Sequence, residues 1–174
     1  MSINKNLTIK EFFNLAVKNH NENKFDIAAD FYKKILEVDP KNITVLNNLG
    51  VTFQELKEYQ KAIRCYEEVI EIDPNHLQAL YNLGVTFKVL GEHQKAKAYY
   101  EKVIEIDPKQ LQALNNLGSV FLELGEDQKA ISYFKKVIRI DPNYINTLNN
   151  LGVTFKELGE HQKAIRYYEK VIEI

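Results

Sequence analysis

At 174 residues, 45% apolar and 27% charged, the chain has the make-up of a soluble folded protein and holds no apolar run long enough to span a bilayer. Its formal net charge of −1, with acids and bases interspersed, builds no field for gathering phosphates and argues against nucleic acid. A single cysteine, Cys65, excludes an internal disulfide, and the leading MSINKNLTIKEFF lacks the apolar core of a signal peptide, so a cytoplasmic setting is expected.

Residues 1–8 are polar and read as a frayed lead. From about Ile9 to Glu22 the apolar residues Phe12, Phe13, Leu15, Ala16 and Val17 fall at helical spacing, and a second helix is expected from about Phe25 to Val38. The stretch from Leu46 to Pro74, LNNLGVTFQELKEYQKAIRCYEEVIEIDP, then sets a pattern that returns from Leu80 to Pro108, from Leu114 to Pro142 and again from Leu148. Pro40, Pro74, Pro108 and Pro142 are 34 residues apart, and the seven glycines fill two columns: Gly50, Gly84, Gly118 and Gly152, then Gly91, Gly125 and Gly159. A fixed period of this length marks a repeat array. The first pair is degenerate, with Ala16 in the glycine column and Asn19 in an aromatic one, and reads as a cap, since terminal repeats are often atypical.

Within the second copy, Leu46, Leu49, Gly50, Phe53 and Leu56 share one helical face. The helix breaks at Lys57-Glu58, where later copies carry Gly-Glu, and glycine there suits a left-handed helix end. A second helix resumes near Tyr59, presents Ala62, Ile63, Tyr66, Val69 and Ile70, and stops before Asp73-Pro74 because proline disfavours helical geometry in the preceding residue. Gly50 and Ala62 allow two helices to approach closely.

The spacing Leu46-x2-Leu49-Gly50-x2-Phe53, then Ala62-x3-Tyr66, then Pro74 resembles the tetratricopeptide repeat. The resemblance implies an all-α, right-handed solenoid of five antiparallel helix pairs, with the first helix of each pair lining a concave wall. A single array over residues 1–174 is expected, with repeats at about 9–42, 43–76, 77–110, 111–144 and 145–174. Ile35, Val69, Val103, Val137 and Val171 depart from the family by filling a column usually held by alanine, which should alter helix spacing slightly.

Beside the core face, each first helix carries another stripe. Thr44, Asn48, Val51 and Glu55 lie at i, i+4, i+7 and i+11, and an asparagine recurs in one column as Asn14, Asn48, Asn82, Asn116 and Asn150. Beside it stand Val51, Val85, Ser119 and Val153. An amide offers one acceptor and two donors, so it can satisfy both polar groups of a peptide unit. Helices packed at about 8–10 Å would set the asparagines as a ladder, close to the roughly 7 Å spanned by two extended residues. This resembles the asparagine ladder by which some tetratricopeptide proteins, among them O-linked N-acetylglucosamine transferase, hold extended peptides. Two roles stay open: holding the backbone of a protein or peptide partner, or tying neighbouring helices together.

A carboxylate clamp is disfavoured, because the matching points hold the neutral Asn47, Tyr81, Asn115 and Asn149, while Lys88 and Lys156 read as solvated. No acid, base or nucleophile stands out, and neither cofactor nor metal is expected. His93 and His161 are two repeats apart, too far to share a metal, and His20 and His76 have no obvious partners. Cys65 reads as a packing or surface cysteine, and Glu67, Glu68 and Glu71 as a solvated outer face. The leading expectation is a protein-interaction scaffold. Its rivals are self-assembly through an open last helix bearing Ile165, Tyr168, Val171 and Ile172, a substrate-selecting region of a larger enzyme, and a related repeat that reads single-stranded RNA, which is usually basic.

Overall fold

The computed structural model describes residues 8–174, so most of the polar lead lies outside the described residues. Among the described residues the regular structure is entirely α-helical. The helices are α1 (Ile9–Asn21), α2 (Phe25–Leu36), α3 (Ile43–Glu55), α4 (Tyr59–Ile72), α5 (Leu77–Val89), α6 (His93–Ile106), α7 (Leu111–Glu123), α8 (Asp127–Ile140), α9 (Ile145–Glu157) and α10 (His161–Ile172). Two compact units divide the chain, one ending at Thr86 and the other beginning at Phe87. In the first, α1 packs on α2, α2 on α3 and α3 on α4; in the second, α6 packs on α7, α7 on α8, α8 on α9 and α9 on α10.

The five odd-numbered helices start at the same point of the repeat, and in four of them the residue before the start carries a side-chain cap, Tyr144 before α9 making none. Thr8, read with the frayed lead, instead closes a capping box: its Oγ1 accepts from the Glu11 N–H at 3.3 Å, and Glu11 Oε2 accepts from the Thr8 N–H at 2.7 Å. Asn42 Oδ1 accepts from Val45 N–H at 3.1 Å, and Gln110 Oε1 accepts from Ala113 N–H. His76 fills the same position, its Nδ1 accepting from Ala79 N–H at 3.2 Å, so this histidine has a structural partner that its isolation in the sequence concealed.

Each turn within a pair places one residue in the left-handed region: Asn23, Lys57, Gly91, Gly125 and Gly159, at φ between 57° and 74°. The next N–H reaches back over the helix end, as from Glu92 to the Phe87 carbonyl at 2.9 Å and Glu126 to Phe121 at 2.8 Å, which satisfies carbonyls that the helix leaves unpaired. The helices α4, α6 and α8 stop at the aspartate before proline, whereas α2 ends at Leu36, three residues before Asp39. Asp73, Asp107 and Asp141 each accept a backbone N–H two residues on, at 3.2, 3.0 and 3.0 Å.

The glycine column is a steric requirement. A Cβ at Gly50 would lie 2.5 Å from the Tyr66 ring, one at Gly118 2.5 Å from Phe134, and one at Gly152 2.4 Å from Tyr168. Ala28, Ala62, Ala96 and Ala130 are buried, and so are Ile35, Val69, Val103 and Val137, so four of the five members of the bulkier column fit without reaching solvent. In the second unit Phe87 stacks on Tyr99, Phe121 on Tyr133 and Phe155 on Tyr167, with ring centroids 5.5, 5.3 and 5.6 Å apart.

Candidate functional site

Of the asparagine column in the first unit, Asn14 is exposed, Asn48 half-buried and Asn82 only 6% exposed. Burial rises along the column because the later residues meet tyrosines from the preceding hairpin. The Asn48 amide hydrogen-bonds the phenol of the buried Tyr32, and this partly offsets the upward push of burial on that phenol. Asn82 lies beside Tyr66, whose ionisation burial likewise opposes, and its Oδ1 accepts from Gln78 Nε2 at 2.9 Å.

Between α1 and α3 lies a hollow of about 190 Å³, lined by Val17, His20, Asn21, Tyr32, Asn48 and Val51. Val17, Val51 and, further along, Val85 are half-buried. His20, expected to stand alone, contacts Thr52 Oγ1 through Nδ1 at 3.0 Å and packs edge-on against Phe25. The Thr52 hydroxyl donates to the Asn48 carbonyl at 2.8 Å, so it accepts from His20, which sets the proton on Nδ1. The same arrangement recurs one hairpin on. The Thr86 hydroxyl donates to the Asn82 carbonyl at 2.7 Å and accepts from Gln54 Nε2 at 2.7 Å, while Gln54 Oε1 accepts from Tyr66 at 2.5 Å.

In the second unit Asn116 Nδ2 donates to the Tyr100 hydroxyl at 3.3 Å. Phe134 takes the tyrosine's place in the next hairpin, and Asn150, with no hydroxyl to meet, donates instead to Asn115 Oδ1 at 3.0 Å. The same oxygen accepts from Thr147 Oγ1 at 2.7 Å, so Asn115, 8% exposed, is a buried node between α7 and α9 rather than a clamp-like surface point. Ser119 is half-buried and donates to the Asn115 carbonyl at 3.2 Å, and Val153 is exposed. The tyrosine partners escaped the reading of the sequence, although Tyr32, Tyr66 and Tyr100 each precede an asparagine of the column by one fixed interval.

Lys88 is not simply solvated: its Nζ lies 3.5 Å from Glu123 Oε1, and His93 Nδ1 lies 2.9 Å from Glu123 Oε2. Cys65 is buried, and burial, reinforced by Glu68, pushes its thiol up to about 12. Glu67, Glu68 and Glu71 face solvent, as do Ile165 and Ile172, while Tyr168 and Val171 are half-buried. Among the described residues no group of three or more His, Cys, Asp or Glu side chains could hold a metal ion, and no helix is long and apolar enough to cross a membrane.

Two family models of the tetratricopeptide repeat match the chain, one over residues 42–109 and the other over 111–144 and 145–174. A solved structure of MamA protein is 28% identical, covers 95% of this chain and 90% of its own, and superposes with a TM-score of 0.84. MamA from Desulfovibrio magneticus RS-1, residues 41 to the end, is 22% identical, with 95% and 93% covered and a TM-score of 0.88. YrrB, a TPR protein with an unusual peptide-binding site, is 23% identical, with 95% and 86% covered and a TM-score of 0.76. The last two likenesses are of fold. No curated protein sequence matches the chain.

Proposed function

Because the chain belongs to the tetratricopeptide repeat family, a fold of protein-interaction scaffolds, we propose that it holds an extended segment of a partner protein against the faces of its odd-numbered helices. The observation that carries this reading is the hollow between α1 and α3, where amides and valines line a concavity at the position the sequence pattern marks. There Asn48 and Asn21 supply hydrogen-bonding groups for a peptide backbone, and Val17 and Val51 cover alternate side chains. Asn14, Asn82 and Val85 belong to the same stripe in the first unit, and Asn116, Ser119, Asn150 and Val153 to its counterpart in the second.

Asn48 and Asn116 each spend part of their hydrogen-bonding capacity on a tyrosine of the fold. The remaining capacity of Asn48 serves the ligand, and its tyrosine fixes the amide rotamer before the ligand arrives, which lowers the entropy cost of binding. Recognition is therefore directed at the backbone, with loose sequence preference.

The test is a peptide-array screen of the wild type beside the double variant Asn48→Ala with Val51→Glu, with circular dichroism confirming equal helicity. Wild-type ligands should weaken about tenfold or more in the variant, as expected when a hydrogen bond and an apolar contact are both lost. Equal binding by the two proteins would assign the asparagines to helix packing alone.

A further inference from the structure

The even-numbered helices are near-copies in sequence, yet one departs in charge. Where α4 ends EEVIEI and α6 ends EKVIEI, α8 ends KKVIRI, so Lys135 stands where α4 and α6 carry Glu67 and Glu101. Beside it, α10 brings Arg166 into the column that holds Ser132 in α8. Between α8 and α10 lies a hollow of about 380 Å³, and none of the asparagine column lines it. Lys135, Lys163, Arg166 and Lys170 line it against a single acid, Glu160, and Ile131 and Tyr167 contribute apolar surface.

The equivalent positions one hairpin earlier hold Lys97, Lys129 and Lys136 with two acids, Glu101 and Glu126, and there Lys97 pairs with Glu101 at 4.0 Å and Lys129 with Glu126. In the α8–α10 groove Lys163 pairs with Glu160, whereas among the described residues no ion pair engages Lys135 or Arg166. A second hollow of about 430 Å³ along α8 extends the basic surface to Lys136 and Arg139. The chain is nearly neutral overall, so this is a local concentration of positive charge.

We propose that the groove between α8 and α10 binds an acidic peptide segment of a partner protein. The unpaired guanidinium of Arg166 can take a carboxylate in a bidentate fashion, Lys135 faces it from the other wall, and the apolar floor accepts a flanking apolar side chain. Nucleic acid fits less well. Single strands bind by stacking bases on open aromatic rings, and the Tyr167 ring is stacked on Phe155 at 5.6 Å with Lys170 Nζ over it at 5.9 Å. A bilayer surface fits less well because the cations line a concavity rather than a protruding apolar face.

The experiment uses the full chain and a short fluorescein-labelled peptide of Glu and Asp around one Phe, with its Gln and Asn counterpart as control. Single-stranded RNA and phosphatidylserine vesicles are the competing probes. The variant Lys135→Glu with Arg166→Ser restores residue types that other hairpins of the chain carry at those positions, so its fold should be retained. The acidic peptide should bind the wild type, weaken with added salt, and weaken about tenfold or more in the variant, while Asn48→Ala with Val51→Glu leaves it unchanged. Equal affinity for wild type and variant, equal binding of the uncharged counterpart, no saturable binding, or tighter binding of the RNA or the vesicles would each overturn the proposal.

Discussion

Cys65 shows how a single substitution in a repeat changes the chemistry around it. The column it occupies holds Tyr99, Tyr133 and Tyr167 in later copies, each half-buried and stacked on a phenylalanine, whereas the smaller Cys65 is buried. Burial raises its ionisation to about 12 from an ordinary value of 9.0. The protonated thiol is therefore the form the fold favours, and the stability this adds is complete below about pH 9 and lost as pH rises toward 12. A thiol reagent at neutral pH should leave Cys65 untouched in the folded protein and react at the rate of a free cysteine in urea. The absence of an activating histidine indicated an inert cysteine, packed or at the surface, and left its burial open, since that depends on the neighbouring helix.

Among elements, the turn inside each pair carries the clearest energetic statement. Four of the five turn residues were legible as helix ends from Gly91, Gly125, Gly159 and the Lys57-Glu58 break. Lys57 adopts φ 59°, in a region that costs a residue with a side chain about 1–2 kcal/mol, while glycine loses roughly 0.5–1 kcal/mol of chain entropy. Lys57→Gly should therefore stabilise the protein by about 1 kcal/mol in urea denaturation, without changing helicity. The helix starts were legible from the period alone. Their caps were not, because histidine and glutamine are uncommon in that role, and the Thr8-x-x-Glu11 signature was merged with the polar lead.

At the scale of the molecule, successive helices within each unit pack on one another, and stability in such arrays is approximately a sum of hairpin and interface contributions. The asparagine column was legible as a stripe, but the hydrogen bonds that tie Asn48 and Asn116 to the fold were not, since they depend on tyrosines contributed by another hairpin. Lys88 misled for the same reason: its partner Glu123 lies in the next repeat. Replacing Asn115 by alanine strands the buried Thr147 hydroxyl and the Asn150 amide, at a cost of about 1–3 kcal/mol. Hydrogen exchange should then quicken in α9 and α10 while α1 and α2 keep their protection, a pattern that uniform, all-or-none unfolding would not give.

Hairpins this alike in sequence, some with verbatim six- and eight-residue blocks, could in principle dock on the wrong neighbour during folding or trade places with a copy from another chain. The polar ties between hairpins are not alike. His20 meets Thr52, Gln54 bridges Tyr66 and Thr86, and Asn115 gathers Thr147 and Asn150. The threonine that meets His20 or Gln54 recurs in its column as Thr52, Thr86 and Thr154, so those two ties would also accept another hairpin, whereas Thr147 stands where other hairpins carry Val45, Ala79 and Ala113. The Asn115 tie therefore acts as an address label, marking the last hairpin in a chain whose apolar faces carry almost no information about order.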